Sequence, residues 1–169
     1  MGAWEDTLAE GKKYEDFCLM EINKKALPLA YKNMKKEEYS YYDLILFDGN
    51  VSRLDKQQTV ECKFDKKGAE TGNICIEVGC NGKLSGLLVT KADFWFISDG
   101  ITMYIAKTSR IHDCIVDNMD KLRYIPKCNV EQEDGVFKEM DIYLIPRRIF
   151  ELYCEEFGNI NNITYICLL

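Results

Sequence analysis

Two short segments of the sequence carry side chains suited to metal-dependent chemistry. Asp43 lies in the first segment, and Glu61, Cys62 and Lys63 form the second. Two carboxylates offer hard oxygen ligands to Mg²⁺ or Mn²⁺. A nearby lysine can orient a water nucleophile or neutralise charge in the transition state of phosphoryl transfer. The sequence therefore predicts that Asp43, Glu61 and Lys63 form a divalent-metal site.

Both segments have the pattern of β-strands. Residues 41–47 are rich in β-branched and aromatic side chains, and residues 48–50 are suited to a turn. Residues 59–64 alternate polar and apolar side chains. Because side chains along a strand repeat with a period of two, Glu61 and Lys63 are predicted to project from the same face. The chain would thus bring the two segments together as neighbouring strands.

This arrangement resembles the core of the PD-(D/E)XK nuclease superfamily, which includes restriction endonucleases, Holliday-junction resolvases and phage exonucleases. Tyr42 stands where the nominal proline of that motif would be. The resemblance covers roughly Trp4 to Lys107. It implies an α/β fold with a restriction-endonuclease-like core, in which a central mixed β-sheet is flanked by helices in the order α-β-β-β-α-β.

The resemblance also implies roles for the residues of the motif. Asp43 and Glu61 would bind Mg²⁺ or Mn²⁺, with the main-chain carbonyl of Cys62 as a further ligand. Lys63 would orient or activate the attacking water. A role for this lysine as sole base requires a lowered pKa, which a buried setting beside a metal could provide.

A long helix is predicted from Trp4 to about Lys25, because this stretch has no proline. Residues at spacings of four and three also fall on one face of such a helix, here called the stripe. The stripe consists of Trp4, Leu8, Gly11, Glu15, Cys18 and Ile22. Glu15 would then face inward, where an unpaired carboxylate is costly. In members of the superfamily that the chain resembles, a glutamate on this helix often points at the metal, and Gly11 would allow close approach to the sheet. The alternative is that Glu15 lies at the edge of the stripe and reaches water; Glu10 lies off the stripe.

Further strands and helices are predicted downstream. Residues 72–78 have the pattern of a strand, with Glu77 on the face opposite the aliphatic side chains and within reach of the same site. Residues 84–92 favour a short helix, and 94–97 and 101–106 favour a pair of strands. The run from Ile76-Glu77 through Ser85-Gly86 and Thr90-Lys91-Ala92-Asp93 to the aromatic strand is also similar to phage-like nucleases.

The last third of the chain reads as support for this core. A helix is predicted from Thr108 or Ser109 to about Lys121, and a strand at 142–145. Pro146 would begin a helix that continues to about Phe157, and residues 162–169 would form a final strand.

Length and composition favour one folded domain spanning residues 1–169. The chain is 47% hydrophobic and 12% aromatic, enough for one sizeable core. No apolar run reaches the ~18 residues of a membrane span, and the first residues lack the pattern of a signal peptide, so a cytoplasmic protein is predicted. Its eight cysteines are then expected to be reduced thiols. They have no C-x-x-C spacing, so a structural zinc is not expected.

Charge argues against a nucleic-acid partner. The 22 basic and 28 acidic residues give 22 − 28 = −6, whereas phosphate binding normally leaves a basic footprint. A local positive field can outweigh the sum. The predicted DNA-binding lysines are Lys66, Lys67, Lys83 and Lys91. For Lys66 and Lys67 the alternative is a solvated turn.

These features fit three functions to different degrees. The first is a metal-dependent deoxyribonuclease, which could act on junctions or branched DNA during recombination or repair and could work as a homodimer on paired strands. The second is a catalytically silent nuclease-like domain that binds nucleic acid or a protein partner. The third, an RNA endonuclease on the same scaffold, generally uses a histidine from the first helices, whereas His112 comes late. A non-functional alternative is that Glu61 and Lys63 form an ion pair on a solvated sheet face.

Overall fold

The computed structural model describes residues 3–24, 29–33, 41–47, 57–65, 67–131 and 137–159. They form an α/β protein with a six-stranded mixed sheet, a four-stranded antiparallel sheet and few helices. The described helices are α1 (Ala3–Asn23), α2 (Gly68–Thr71), α3 (Thr108–Asp117) and α4 (Arg147–Phe150). The described strands are β1 (Leu29–Lys32), β2 (Leu44–Phe47), β3 (Gln58–Phe64), β4 (Asn73–Cys80), β5 (Lys83–Leu84), β6 (Phe94–Ser98), β7 (Thr102–Lys107), β8 (Arg123–Glu131), β9 (Phe137–Pro146) and β10 (Glu156–Asn159).

The six-stranded sheet, here the large sheet, has the strand order β1-β2-β3-β6-β7-β10. Strands β3 and β6 are parallel, with Cys62 opposite Phe96, and the other neighbours are antiparallel. The four strands predicted at 41–47, 59–64, 94–97 and 101–106 are therefore confirmed as β2, β3, β6 and β7. Their side-chain alternation sends successive residues to opposite faces of the sheet.

One face of the large sheet is covered by α1. Tyr14, Cys18 and Ile22 of this helix are buried against apolar side chains of the sheet. The predicted helix is confirmed, and so is its inward stripe at Cys18 and Ile22. The expected role of Gly11 is wrong, because among the described residues no atom would lie within 4 Å of a Cβ at this position.

The opposite face is covered by a second sheet, which the expectation of one central sheet did not include. This small sheet has the order β5-β4-β9-β8 and is antiparallel throughout. Ile74 and Ile76 of β4 pack with Trp95 and Ile97 of β6 and with Ile111 of α3 in one buried cluster. The strands predicted at 72–78 and 142–145 are confirmed as β4, which begins one residue later, and as part of β9.

Two predicted helices are wrong. Where residues 84–92 were expected to be helical, β5 is followed by a single 3-10 turn at Gly86–Leu88. The helix expected from Pro146 to Phe157 is only α4 plus a 3-10 turn, and β10 then pairs with the edge of β7. Hydrogen bonding to a sheet edge overrides local propensity in this last segment.

The remaining boundaries differ in smaller ways. Helix α3 ends at Asp117 rather than at Lys121. Strands β1, β5, β8 and β10 and the short α2 were not predicted. The turn expected at 48–50 and the strand expected at 162–169 lie outside the described residues.

An ion pair joins the two sheets. The Nη2 atom of Arg147, directly after β9, lies 2.7 Å from Oδ2 of Asp99, directly after β6. The same nitrogen donates to the carbonyl of Gly68 at 3.0 Å. The Asp99 side chain is only 1% exposed. A buried carboxylate of this kind depends on its partners, so Arg147 ties the small sheet to the large one.

Two further expectations concern cysteines and membranes. The seven cysteines within the described residues are all free. None of the helices in the described part of the chain is long and apolar enough to cross a membrane.

Candidate functional site

Asp43 lies directly before β2 and is held against β3 by two hydrogen bonds. Its main-chain N–H donates to the carbonyl of Val60 at 2.8 Å. Its Oδ2 accepts the N–H of Cys62 at 2.7 Å. Burial raises the pKa of Asp43, although the Cys62 N–H and the charges of Lys63 and Lys32 oppose this. Pairing between β2 and β3 therefore fixes the first predicted ligand beside the second strand.

Glu61 and Lys63 project from the same face of β3, as predicted. Lys63 Nζ lies 2.6 Å from Glu61 Oε1 and 5.7 Å from the ring centroid of Trp95. Trp95 is opposite Glu61 on β6 and is buried. The Glu61 side chain is 13% exposed and that of Lys63 is 38% exposed. The pair therefore exists, but its carboxylate is enclosed rather than on a solvated face.

The electrostatics of this pair favour a protonated lysine. Burial, then the charges of Asp43 and Glu77, raise the pKa of Glu61 to about 7 against the opposing charge of Lys63. Burial alone would lower the pKa of Lys63, but the carboxylates of Glu61, Asp43 and Glu77 outweigh it and raise that pKa. A general base needs the opposite shift. The chain by itself therefore favours a protonated Lys63, whereas the lowered pKa that a metal beside it could provide stays a prediction.

Cys62 can contribute only its main chain to the site. Its side chain is 8% exposed and belongs to the cluster under α1. The contact with Cys18, together with burial, raises the pKa of the Cys62 thiol. The N–H and the C=O of one strand residue point to the same side. Since the N–H meets Asp43, the Cys62 carbonyl also faces the Asp43 side, where the sequence placed it as a ligand.

Glu15 of helix α1 adds a third carboxylate to the site, near Asp43. Burial and the charge of Asp43 raise its pKa, and Lys32 partly offsets them. The Lys32 Nζ lies 3.8 Å from Oε2 of Glu15 and 2.6 Å from Oδ1 of Asp16. The Glu15 side chain is 30% exposed, so it borders both Asp43 and water. The side chain of Glu10 lies outside the described residues.

Glu77 reaches the same site from the small sheet. The register between β4 and β9 shifts at Glu77, and a bulge of this kind re-aims side chains. The hydroxyl of Ser85 donates to Oε1 of Glu77. Gly86 has φ +51°, and a Cβ there would meet the Glu77 carbonyl at 2.3 Å, so only glycine allows this turn to pack on β4.

The two sheets enclose a cavity of about 600 Å³ between these groups. Glu61 and Lys63 lie on its large-sheet wall, and Glu77 lies on its small-sheet wall. Other lining residues are Tyr41, Cys80, Asn81, Lys83, Leu84, Ser85, Gly86, Val89, Thr90 and Lys138. Such a volume is typical of ligand-binding clefts, about 300–1,000 Å³.

The donor set suits a divalent cation. Asp43, Glu61 and Glu15 each have a raised pKa, which shows that the folded chain holds carboxylates where water stabilises them poorly. A hard divalent cation would neutralise the negative charge of such carboxylates. Within the ranges that the structure describes, however, no three histidine, cysteine, aspartate or glutamate side chains are already grouped as metal ligands. Asp43, Glu61 and the Cys62 carbonyl would hold the ion.

The predicted DNA-binding lysines do not form one group. Lys83 lines the cavity on β5 and is exposed. Lys91 places its Nζ 4.1 Å from the ring centroid of Tyr41, at the same cavity. Lys67 is exposed in the turn before α2 and does not line this cavity. Lys66 lies outside the described residues.

Four residues at the site were not singled out from the sequence. Trp95 lies beneath Lys63, Ser85 holds Glu77, and Tyr41 and Lys138 line the cavity. The aromatic run of β6 was the available signal for Trp95. For Lys138 no local signal exists, because its place depends on the packing of two sheets. No protein-family model, curated protein or solved structure matches this chain, so its function is inferred from the site itself.

Proposed function

We propose that this protein is a divalent-metal-dependent deoxyribonuclease that hydrolyses DNA phosphodiester bonds. The observation that supports this most strongly is that Asp43, which directly precedes β2 and accepts the Cys62 N–H, lies close enough to Glu61 of β3 to raise its pKa, with the Lys63 cation 2.6 Å from Glu61. Two carboxylates beside a cation match the needs of phosphodiester hydrolysis, in which charge develops on the phosphate oxygens.

Each residue has a role in this proposal. Asp43, Glu61 and the Cys62 carbonyl would hold Mg²⁺ or Mn²⁺, which when bound would polarise the phosphate and lower the pKa of water. Lys63 remains protonated, so it orients water and neutralises negative charge on the phosphate rather than removing a proton. Glu15 assists from α1, either directly or through water.

The order of elements is compatible with a restriction-endonuclease-like core. Helix α1 packs on β3, the strands β1, β2 and β3 form an antiparallel meander, and β6 joins β3 in parallel. The 3-10 turn at Gly86–Leu88 stands where that core would have a helix, and the small sheet is an addition to it. This core is therefore part of the proposal.

The test is a cleavage assay on several DNA structures. Supercoiled, linear, single-stranded and four-way-junction DNA would be incubated with the purified protein in Mg²⁺ or Mn²⁺, with EDTA as the control. We expect cleavage that EDTA stops, and the products would show whether junctions or branched DNA are preferred. No cleavage of any substrate with either ion would refute the proposal.

A second candidate is a catalytically silent domain that binds nucleic acid or a protein partner. It is favoured by the Glu61–Lys63 ion pair and by the lack of a grouped three-ligand set in the described ranges. Calorimetric titration with Mn²⁺ separates the two candidates. A nuclease should bind the ion and lose this binding in Glu61→Gln, whereas a silent domain should show no heat in either protein.

A further inference from the structure

The cavity between the two sheets carries side chains that the proposed hydrolysis does not use. Tyr41 and Thr90 lie on one side, and Lys83 and Lys138 extend from the small sheet. We propose that this cavity binds an unpaired nucleotide of DNA beside the bond that is cut, so that the protein prefers single-stranded DNA to duplex DNA. This inference rests on the proposed nuclease function and assigns its substrate.

Tyr41 is positioned to stack on a nucleobase. Its carbonyl accepts the N–H of Lys91 at 3.2 Å and the hydroxyl of Thr90 at 3.0 Å. The Lys91 ammonium lies 4.1 Å from its ring centroid. The two hydrogen bonds fix the main chain of Tyr41, and the Lys91 ammonium lies against the ring of a residue that is still 37% exposed. An aromatic ring on a fixed main chain at a cavity can serve as a stacking platform for a nucleobase.

Lys83 and Lys138 place positive charge on the small-sheet side. Neither forms an ion pair with a carboxylate among the residues that the structure describes. In a chain of net charge −6, two lysines at one cavity that have no carboxylate partner among the described residues create a local field that attracts phosphate. Glu61 and Glu77 repel phosphate, so the nucleic-acid backbone would lie toward the lysines.

The apolar part of the lining favours an unpaired base over a duplex. Leu84 is 67% exposed and Val89 is 40% exposed, both at the cavity. In a duplex, the faces of each base are covered by its neighbours, and only an unstacked base can present a face to an aromatic ring. A cavity of about 600 Å³ suits a ligand of nucleotide size rather than a double helix.

The experiment measures binding without cutting. Fluorescence anisotropy in EDTA would compare a labelled single-stranded DNA with duplex DNA and with single-stranded RNA of the same sequence. We expect wild-type protein to bind single-stranded DNA most tightly. Tyr41→Ala should weaken this binding by about tenfold, the effect of losing one stacked base. Tyr41→Phe keeps the ring and should bind like wild type, which separates loss of the ring from loss of the hydroxyl, and unchanged thermal unfolding of Tyr41→Ala would exclude a folding defect.

The lysines are tested with a charge-matched control. Lys83→Ala with Lys138→Ala should weaken binding and reduce its salt dependence. Lys121→Ala with Lys127→Ala removes the same charge from exposed positions outside the cavity lining and should have no such effect. Equal effects of the two pairs, or tighter binding of duplex DNA or RNA, would overturn the inference.

This outcome is separate from that of the nuclease proposal. Single-stranded binding that depends on Tyr41, with no cleavage in Mg²⁺ or Mn²⁺, supports the nucleotide site and refutes the nuclease. Metal-dependent cleavage of duplex DNA that Tyr41→Ala leaves unchanged supports the nuclease and overturns the nucleotide site.

Discussion

The large and the small sheet contribute to the site in different ways. In the large sheet, Asp43 and Glu61 meet because β2 and β3 are hydrogen-bonded neighbours. In the small sheet, Glu77, Lys83 and Lys138 arrive on three separate strands, and only packing of one sheet on the other brings them to the cavity. The carboxylates of the proposed site are thus brought together by pairing of two strands that are close in sequence, whereas the rest of the cavity lining depends on tertiary packing.

The large sheet is also more deeply buried than the small sheet. All five residues of β6 are buried, since helix α1 covers one face and the small sheet covers the other. Strand β9 alternates between exposed and more enclosed residues along its first half, as expected for an antiparallel sheet with one face toward water. Damage to the large sheet should therefore abolish chemistry, whereas damage to the connection between the sheets should first reduce stability.

The largest expected effect is on catalysis by the large sheet. Glu61→Gln conserves volume and removes a charged ligand, so we expect metal-dependent cleavage to fall at least about a hundredfold. Glu139→Gln is the matched control, because Glu139 of the small sheet is 49% exposed and pairs only loosely with Lys127 at 3.5 Å. Cleavage rates of the two purified variants give the answer. Wild-type-like cleavage by Glu61→Gln would remove this carboxylate from the site.

The connection between the sheets can be broken at Arg147. Arg147→Met leaves the buried Asp99 carboxylate without its cation, and we expect about 3–5 kcal/mol of destabilisation in urea unfolding. The double variant with Asp99→Asn removes the stranded charge and should recover part of this loss. If Asp99→Asn lowers the free energy of unfolding of Arg147→Met as much as it lowers that of wild type, the two residues act independently and do not join the sheets.

The next effect concerns pH. Glu61 has a pKa of about 7 when folded, above its ordinary value of 4.5, so the folded state binds this proton more tightly than the unfolded state. Its contribution to the free energy of unfolding is thus complete below pH ~4.5 and is lost as pH rises through about 7. The loss should be on the order of 2–3 kcal/mol without divalent metal.

Urea unfolding in EDTA between pH 4.5 and 8 measures this slope. Glu61→Gln cannot titrate and should flatten it, although Asp43 and Glu15, whose pKa values are also raised, retain a part. Identical slopes for wild type and variant would mean that Glu61 is not an enclosed, proton-binding carboxylate.

The smallest effect is expected on α1. Glu15→Gln removes a charge that borders Asp43 and should reduce metal-dependent cleavage by several-fold, about 1 kcal/mol. Asp16→Asn is the control, because Asp16 is adjacent, 59% exposed and shares the Lys32 partner. Equal, small reductions in both variants would make Glu15 a surface residue that only pairs with Lys32.

Much of the large sheet was predictable from local pattern. Strands β2, β3, β6 and β7 and helix α1 follow from alternation, aromatic content and a stripe at helical spacing. The same-face placement of Glu61 and Lys63 follows from the period of a strand. Strands β4 and β9 were also predicted, but their pairing into a second sheet and the pairing of β10 with β7 were not, because these partners lie far apart along the chain. The 3-10 turn at Gly86 likewise depends on its contact with Glu77.

The sequence by itself indicated which residues could perform the proposed chemistry and predicted that Asp43, Glu61 and Lys63 come together from two neighbouring segments. Only the tertiary structure decided their protonation. Burial depends on atoms from remote segments, so the raised pKa of Glu61 and the retained proton of Lys63 appear only after Asp43 and Glu77 have converged on them. The cavity has the same origin, because its two walls are formed by separate sheets and meet only through packing.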